Sequence, residues 1–148
     1  MRYLIVMLSG LALGCSQAVP DRPVSPGEVR RNIQFWDGKN VVVVGWLGHC
    51  DGKSGPLSSC FVFESKADIK ASVWRGEETK AFASAWESAL SLGGTREIDK
   101  AAELLDGNYV RFNGRLDASC RKPSVYCTDR ASDIEVTSIR AEAQKGGN

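Results

Sequence analysis

Four cysteines in the body of the chain, Cys50, Cys60, Cys120 and Cys127, are the residues whose type and spacing most directly suggest chemistry. They bound two turn-rich stretches, CDGKSGPLSSC and CRKPSVYC. Four thiolates would also suit zinc, but these spacings are wider than the close pairs that structural zinc sites favour. Four cysteines allow three connectivities, and local pairing of Cys50 with Cys60 and of Cys120 with Cys127 is the expected one. No metal or other cofactor is expected. The one histidine of the chain, His49, stands beside Cys50. A nucleophile–base arrangement would have to be built on it inside a stapled loop, so it reads as a solvent-exposed loop residue. The carboxylates are scattered, and Glu77-Glu78 precedes a helix, where negative charge is favourable without any catalytic role. The acids of a hydrolase need only meet in space. No Gly-rich phosphate loop, zinc-protease helix or nucleophile elbow is present in the sequence, however, and the expectation is that the protein is not an enzyme.

Binding residues are easier to find. Trp46 and Trp74 are expected at strand ends, with Arg75, Arg111 and Arg115 placed to share a surface with one of them. Aromatic side chains and arginine together are enriched at protein interfaces and their hot spots. The competing reading buries both tryptophans and leaves the arginines merely solvated. Trp36 and Trp86 are assigned to core packing on helices. His49 and Tyr126 lie in or beside the two stapled loops, which would make a rigid display surface.

The N-terminus bears on where such a surface is displayed. MRYLIVMLSGLALGCSQ begins with a basic residue, Arg2, and continues as a short apolar run. That run is well under the ~20 residues needed to cross a bilayer, so residues 1–14 read as a signal peptide. Leu11-Ala12-Leu13-Gly14-Cys15 resembles the lipobox of bacterial lipoproteins. The resemblance implies cleavage before Cys15 by a peptidase of the signal-peptidase-II type, a lipidated Cys15, and attachment to a membrane of the cell envelope. Acyl chains at ~0.8 kcal/mol per buried methylene hold such a protein firmly. Ser16, where an aspartate would retain the protein at the inner membrane, resembles the sorting signal of Gram-negative lipoproteins and implies the outer membrane, with the domain in the periplasm. The alternative is an exported chain cut elsewhere, with Cys15 discarded.

Pro20, Pro23 and Pro26 make the next stretch semi-extended, so residues 15–24 read as lipidated anchor and spacer. Residues 25–141 are expected to form one domain and 142–148 a flexible tail. Removing residues 1–14 takes only Arg2 from 19 basic side chains set against 18 acidic ones, which leaves no net charge. Phosphate binding is mostly electrostatic, so no nucleic-acid partner is expected.

The elements that would position these residues can be read locally. EVRRNIQFWDGKNVVVVGWL (28–47) and EIDKAAELLDGNYVRFNGRL (97–116) align without gaps, sharing Asp-Gly, a glycine in the following strand and a closing leucine. An ancient duplication and two solutions to one structural task are both compatible with this. Ser25-Pro26-Gly27-Glu28 matches a capping box and opens a helix. Gly38 ends it. Strands are expected over 41–47, where Gly45 allows a bend or bulge, and over 60–64, 69–74, 109–116 and 134–139, with a turn at 65–68. A helix over 79–92 carries Phe82, Trp86 and Leu90 four apart, and a second helical piece follows Gly93-Gly94 to 105.

This order resembles the OB-fold over roughly residues 38–140. The fold class is mostly β with helices (β-barrel, α+β): a small five-stranded OB-like barrel with an N-terminal helix and a helical segment between strands three and four. A generic α+β sandwich is the rival. The expected function is a lipid-anchored cell-envelope protein acting as a non-catalytic protein-binding module, an accessory or an inhibitor/immunity protein with an envelope protein partner. Its alternative is a glycan- or small-ligand-binding protein, and a hydrolase comes third. Protein binding calls for an exposed apolar patch on the face of strands two and three. Ligand binding calls for a groove with an aromatic floor.

Overall fold

A computed structural model describes residues 22–50, 60–121 and 132–144. The expected signal peptide, Cys15, Tyr126 and Cys127 lie outside the described residues. Five strands, β1 (Asn40–Gly48), β2 (Phe61–Phe63), β3 (Leu90–Gly93), β4 (Tyr109–Leu116) and β5 (Ile134–Ala141), close into a barrel in the order β1-β2-β3-β5-β4. Every neighbouring pair is antiparallel except β3 and β5. This is an OB-like barrel. Alternation along the strands puts Val41, Val43, Leu47, Val110, Phe112 and Leu116 inside, fully buried or nearly so.

Among the described residues five α-helices decorate it: α1 (Pro26–Arg31), α2 (Ile33–Trp36), α3 (Lys66–Ala71), α4 (Lys80–Ser88) and α5 (Arg96–Leu104). The Ser25 hydroxyl caps α1 by accepting from the Glu28 amide at 3.3 Å. The Glu28 carboxylate pairs with Arg22 at 2.8 Å instead of reaching back to the cap. Val24, expected in the spacer, belongs to the barrel. It is 2 % exposed, donates to Val42 O and accepts from Val44 N, filling the β1 edge that the short β2 leaves open.

The sequence repeat has a structural counterpart. In the antiparallel β1–β4 pair, Val43 lies opposite Phe112, and these are also equivalent positions of the two copies. A local two-fold axis therefore passes between them. The bonds on either side match: Gly38 N to Leu116 O and Gly107 N to Leu47 O, both 2.9 Å, then Leu116 N to Lys39 O and Leu47 N to Asn108 O, both 2.9 Å. Gly38 and Gly107 adopt φ of 73° and 76°, the left-handed conformation that ends each preceding helix. Gly45 and Gly114 are equivalent too. A Cβ would fall 2.8 Å from Phe63 O at the first and 2.6 Å from Glu135 O at the second, so the strand alongside approaches where only glycine fits. The register shift expected at Gly45 occurs at its counterpart, between Asn113 and Gly114.

Two elements differ from the sequence expectation. Residues 65–68 are not a turn before a strand; they start α3. The Ser65 hydroxyl accepts from Asp68 N at 3.2 Å while Asp68 Oδ2 accepts from Ser65 N at 2.9 Å, a reciprocal capping box that commits Lys66–Ala71 to helix. The third strand lies instead at Leu90–Gly93, inside the stretch read as the end of the 79–92 helix. Leu90 satisfies helical spacing from Trp86, but Ala89 turns extended and Leu90 and Leu92 point into the core between β2 and β5. α5 then occupies the expected place between the third and fourth strands.

The Cys50–Cys60 bond ties the end of β1 to the start of β2. Cys120 is also disulfide-bonded. Replacing Cys50 and Cys60 together with alanine is expected to lower stability by roughly 2–3 kcal/mol through the lost loop constraint. Urea denaturation checks this, and an unchanged unfolding free energy would show that the constraint contributes nothing.

Candidate aromatic binding site

On β2, Val62 points into the barrel while Phe61 and Phe63 face out. That outer face is not bare. The chain between β2 and β3 folds as α3 and α4 over it, and Trp86 packs on Phe61 with ring centroids 4.9 Å apart and on Phe63 at 5.7 Å. An apolar patch on the face of strands two and three, the feature a protein partner was expected to use, is therefore covered by the protein's own helices.

His49 is the first residue beyond β1 and has φ of 61°. It is half-buried, not the solvent-exposed loop residue suggested by the sequence, because its ring stacks on Trp86 at 5.7 Å and meets Phe63 edge-on at 5.6 Å. Its Nε2 lies 2.6 Å from Ser72 Oγ. The same hydroxyl lies 2.8 Å from Ile69 O, and when it donates there Nε2 is the donor to Ser72 Oγ. Trp86 Nε1 donates to Ser72 O at 3.1 Å. Ser72, 3 % exposed at the end of α3, thus ties α3 to both α4 and the end of β1. Burial and these bonds make it a structural hub.

Beyond Ser72 the chain emerges at Val73 and Trp74, which are 48 % and 58 % exposed. Trp74 meets Phe82 edge-on at 5.4 Å, and Phe82 meets Trp86 at 6.3 Å, each ring turned steeply against the next. With His49, Ser72 and Val73 these rings enclose a cavity of ≈ 380 Å³. Across Phe82 and Trp86 lies a shallower groove of ≈ 510 Å³ lined by Arg30, Glu78, Glu87 and Arg121. Arg30 Nε donates to Glu87 O at 2.7 Å, and burial together with the nearby Arg121 charge lowers its pKa from the ordinary value. Arg121 is held by Asp133 through two bonds of 2.6 and 2.7 Å, which raise its pKa.

The residues singled out from sequence are divided between two surfaces. Trp74 lines the cavity and Arg75 follows it, both on a connection and not at a strand end. Trp46, Arg111 and Arg115 lie on the outer face of β1 and β4. There Trp46 is half-buried against Tyr109, with centroids at 5.6 Å and the Lys66 ammonium 5.1 Å from its ring. Arg111 pairs with Glu142 at 3.3 Å, and Arg115 donates to Gly38 O at the far end of the strand. Trp36 is buried in the core as expected, whereas Trp86 packs between the barrel and its helical cover and forms the cavity floor. Phe82 and Trp86, four apart, announced an apolar helix face. Ser72 carried no local signal.

No family model, no curated protein and no solved structure matches this chain.

Proposed function

We propose that this protein is a lipid-anchored binding module of the cell envelope, held at the outer membrane through Cys15 with its domain in the periplasm. Its recognition site is the aromatic cavity beside His49. The observation that carries this reading is the exposed Trp74 at the mouth of a cavity floored by Phe82 and Trp86. The volume falls within the range of small-ligand sites, and such sites combine aromatic walls with a few polar groups. The geometry favours a ligand over a flat protein partner, because the strand face that a protein would use is occupied by α3 and α4. Its lining, in which Trp74, Phe82 and Trp86 predominate, supports a binding role.

The test has two arms. Cys15→Ala is expected to move the protein from the membrane to the soluble fraction, and membrane retention would refute the anchor. A photoreactive residue at position 73, where the exposed Val73 lines the cavity, is expected to yield one discrete adduct in intact cells, while the same residue at position 115 on the β4 face yields none. Equal labelling at both positions, or none at either, would refute the site. An adduct of protein size would return the weight to a protein partner.

A further inference from the structure

We infer that the ligand is an uncharged pyranose chain, with one ring against Trp74 and Phe82 and the next over the groove beyond Trp86. This rests on the cavity beside His49 being the recognition site. The two depressions share Phe82 and Trp86, so a single elongated ligand occupies both. Their chemistry differs. The cavity end offers aromatic faces, and two of its polar side-chain nitrogens are internally paired: His49 Nε2 with Ser72 Oγ, Trp86 Nε1 with Ser72 O. The groove end offers planar polar side chains of both signs, Arg30 and Arg121 beside Glu78 and Glu87.

That mixture selects among ligand classes. An anionic ligand drawn to Arg30 and Arg121 meets Glu78 and Glu87, and a cationic one drawn to the carboxylates meets the guanidiniums. A hydroxyl donates to a carboxylate and accepts from a guanidinium, so a polyhydroxylated neutral molecule satisfies both kinds of side chain at once. A pyranose also presents a face of C–H groups, which packs on an aromatic ring as any apolar surface does. Arg30 commits Nε to Glu87 O, and its terminal nitrogens make no bond among the described residues, which leaves donors at the groove.

The full-length lipidated protein in detergent micelles, titrated with cellotetraose, tetra-N-acetylchitotetraose and maltotetraose and followed by tryptophan fluorescence and calorimetry, tests this. At least one neutral chain is expected to bind saturably, and tetragalacturonate and a glucosamine tetramer to bind at least fivefold more weakly. Trp74→Ala is expected to weaken the neutral chain at least tenfold; because Trp74 is mostly exposed, the variant keeps the unfolding transition of the parent. Glu78→Gln is expected to narrow the gap between the neutral chain and tetragalacturonate. A charged chain that binds as tightly as the best neutral one overturns the inference, as does neutral binding that Trp74→Ala leaves unchanged. If no neutral chain binds while position 73 still captures an adduct in cells, the recognition site stands and the saccharide falls. Failure of both removes the site as well.

Discussion

Replacing Asp133 with alanine lowers the stability of the domain by about 3 kcal/mol, the lower end of the range for breaking a buried ion pair from one side. Asp133 is 3 % exposed and precedes β5, where that strand meets β3 in the barrel's parallel junction. Its carboxylate accepts from Ser91 N at 2.9 Å, from Ser91 Oγ at 3.1 Å and from Arg121 through two bonds. Its own amide donates to Ser91 Oγ at 2.9 Å. One side chain therefore joins β3, β5 and the 3₁₀ turn at Ser119–Arg121. Without it, a half-buried Ser91 amide and a half-buried guanidinium lose their acceptor together, and an unmet polar group away from water costs more than the bond itself contributed. Arg121 keeps part of its solvent contact, which is why the low end applies. Asp133→Asn retains an acceptor for Ser91 and is expected to cost about half as much. Urea denaturation of both variants, with Arg121→Ala to complete a double-mutant cycle, measures the coupling. A loss below about 1 kcal/mol in Asp133→Ala would show that the junction is held by its apolar residues alone.

Asp133 also illustrates what a sequence conceals. Nothing near residue 133 marks its partners, because Ser91 and Arg121 reach it only after the barrel closes. Where local chemistry decides the structure, the reading from sequence agrees closely with it. β4 runs over Tyr109–Leu116 with the expected inward residues, since its alternation is clean. The Ser25 cap and the Cys50–Cys60 bond follow from signals a few residues apart. The repeat is legible for a deeper reason: both copies make the same bonds across the β1–β4 axis, so both need glycine at the same places. Errors arose where two local signals competed. Leu90 satisfied the helical spacing of Phe82 and Trp86 as well as the alternation of Leu90 with Leu92, and pairing with β2 and β5 decided for strand. In α3, a capping aspartate in place of glutamate let Ser65–Asp68 pass for a turn. The site was the least legible part. Trp74 was visible as a candidate, but His49 and Ser72 meet across 23 residues of chain and neither predicts the other.

Trp86→Ala is the substitution expected to separate the site from the barrel. Its ring touches His49, Phe61, Phe63 and Phe82, and its Nε1 donates to Ser72 O. Truncating a well-packed tryptophan costs about 3–5 kcal/mol, and partial exposure of this one places it near 3. The loss should be local. α3 contributes no buried residue of its own to the core and is held by its cap, by the Ser72 hub, by contact with α4 and by lighter packing on β1 and β2, where Ile69 lies over Gly48. β1 and β4 keep their full ladder. Hydrogen exchange is therefore expected to show the Lys66–Ala71 amides losing protection while those of Asn40–Gly48 and Tyr109–Leu116 retain it. Trp86→Phe, which keeps an aromatic ring on Phe61 but not the bond to Ser72, should lose about 1 kcal/mol and only part of that protection. If the barrel amides of Trp86→Ala lose protection in step with α3, cover and barrel form one cooperative unit. If they do not, the cavity is carried by an element that opens at lower free energy than the barrel beneath it, and ligand binding then stabilises the cover selectively because the open cover does not bind.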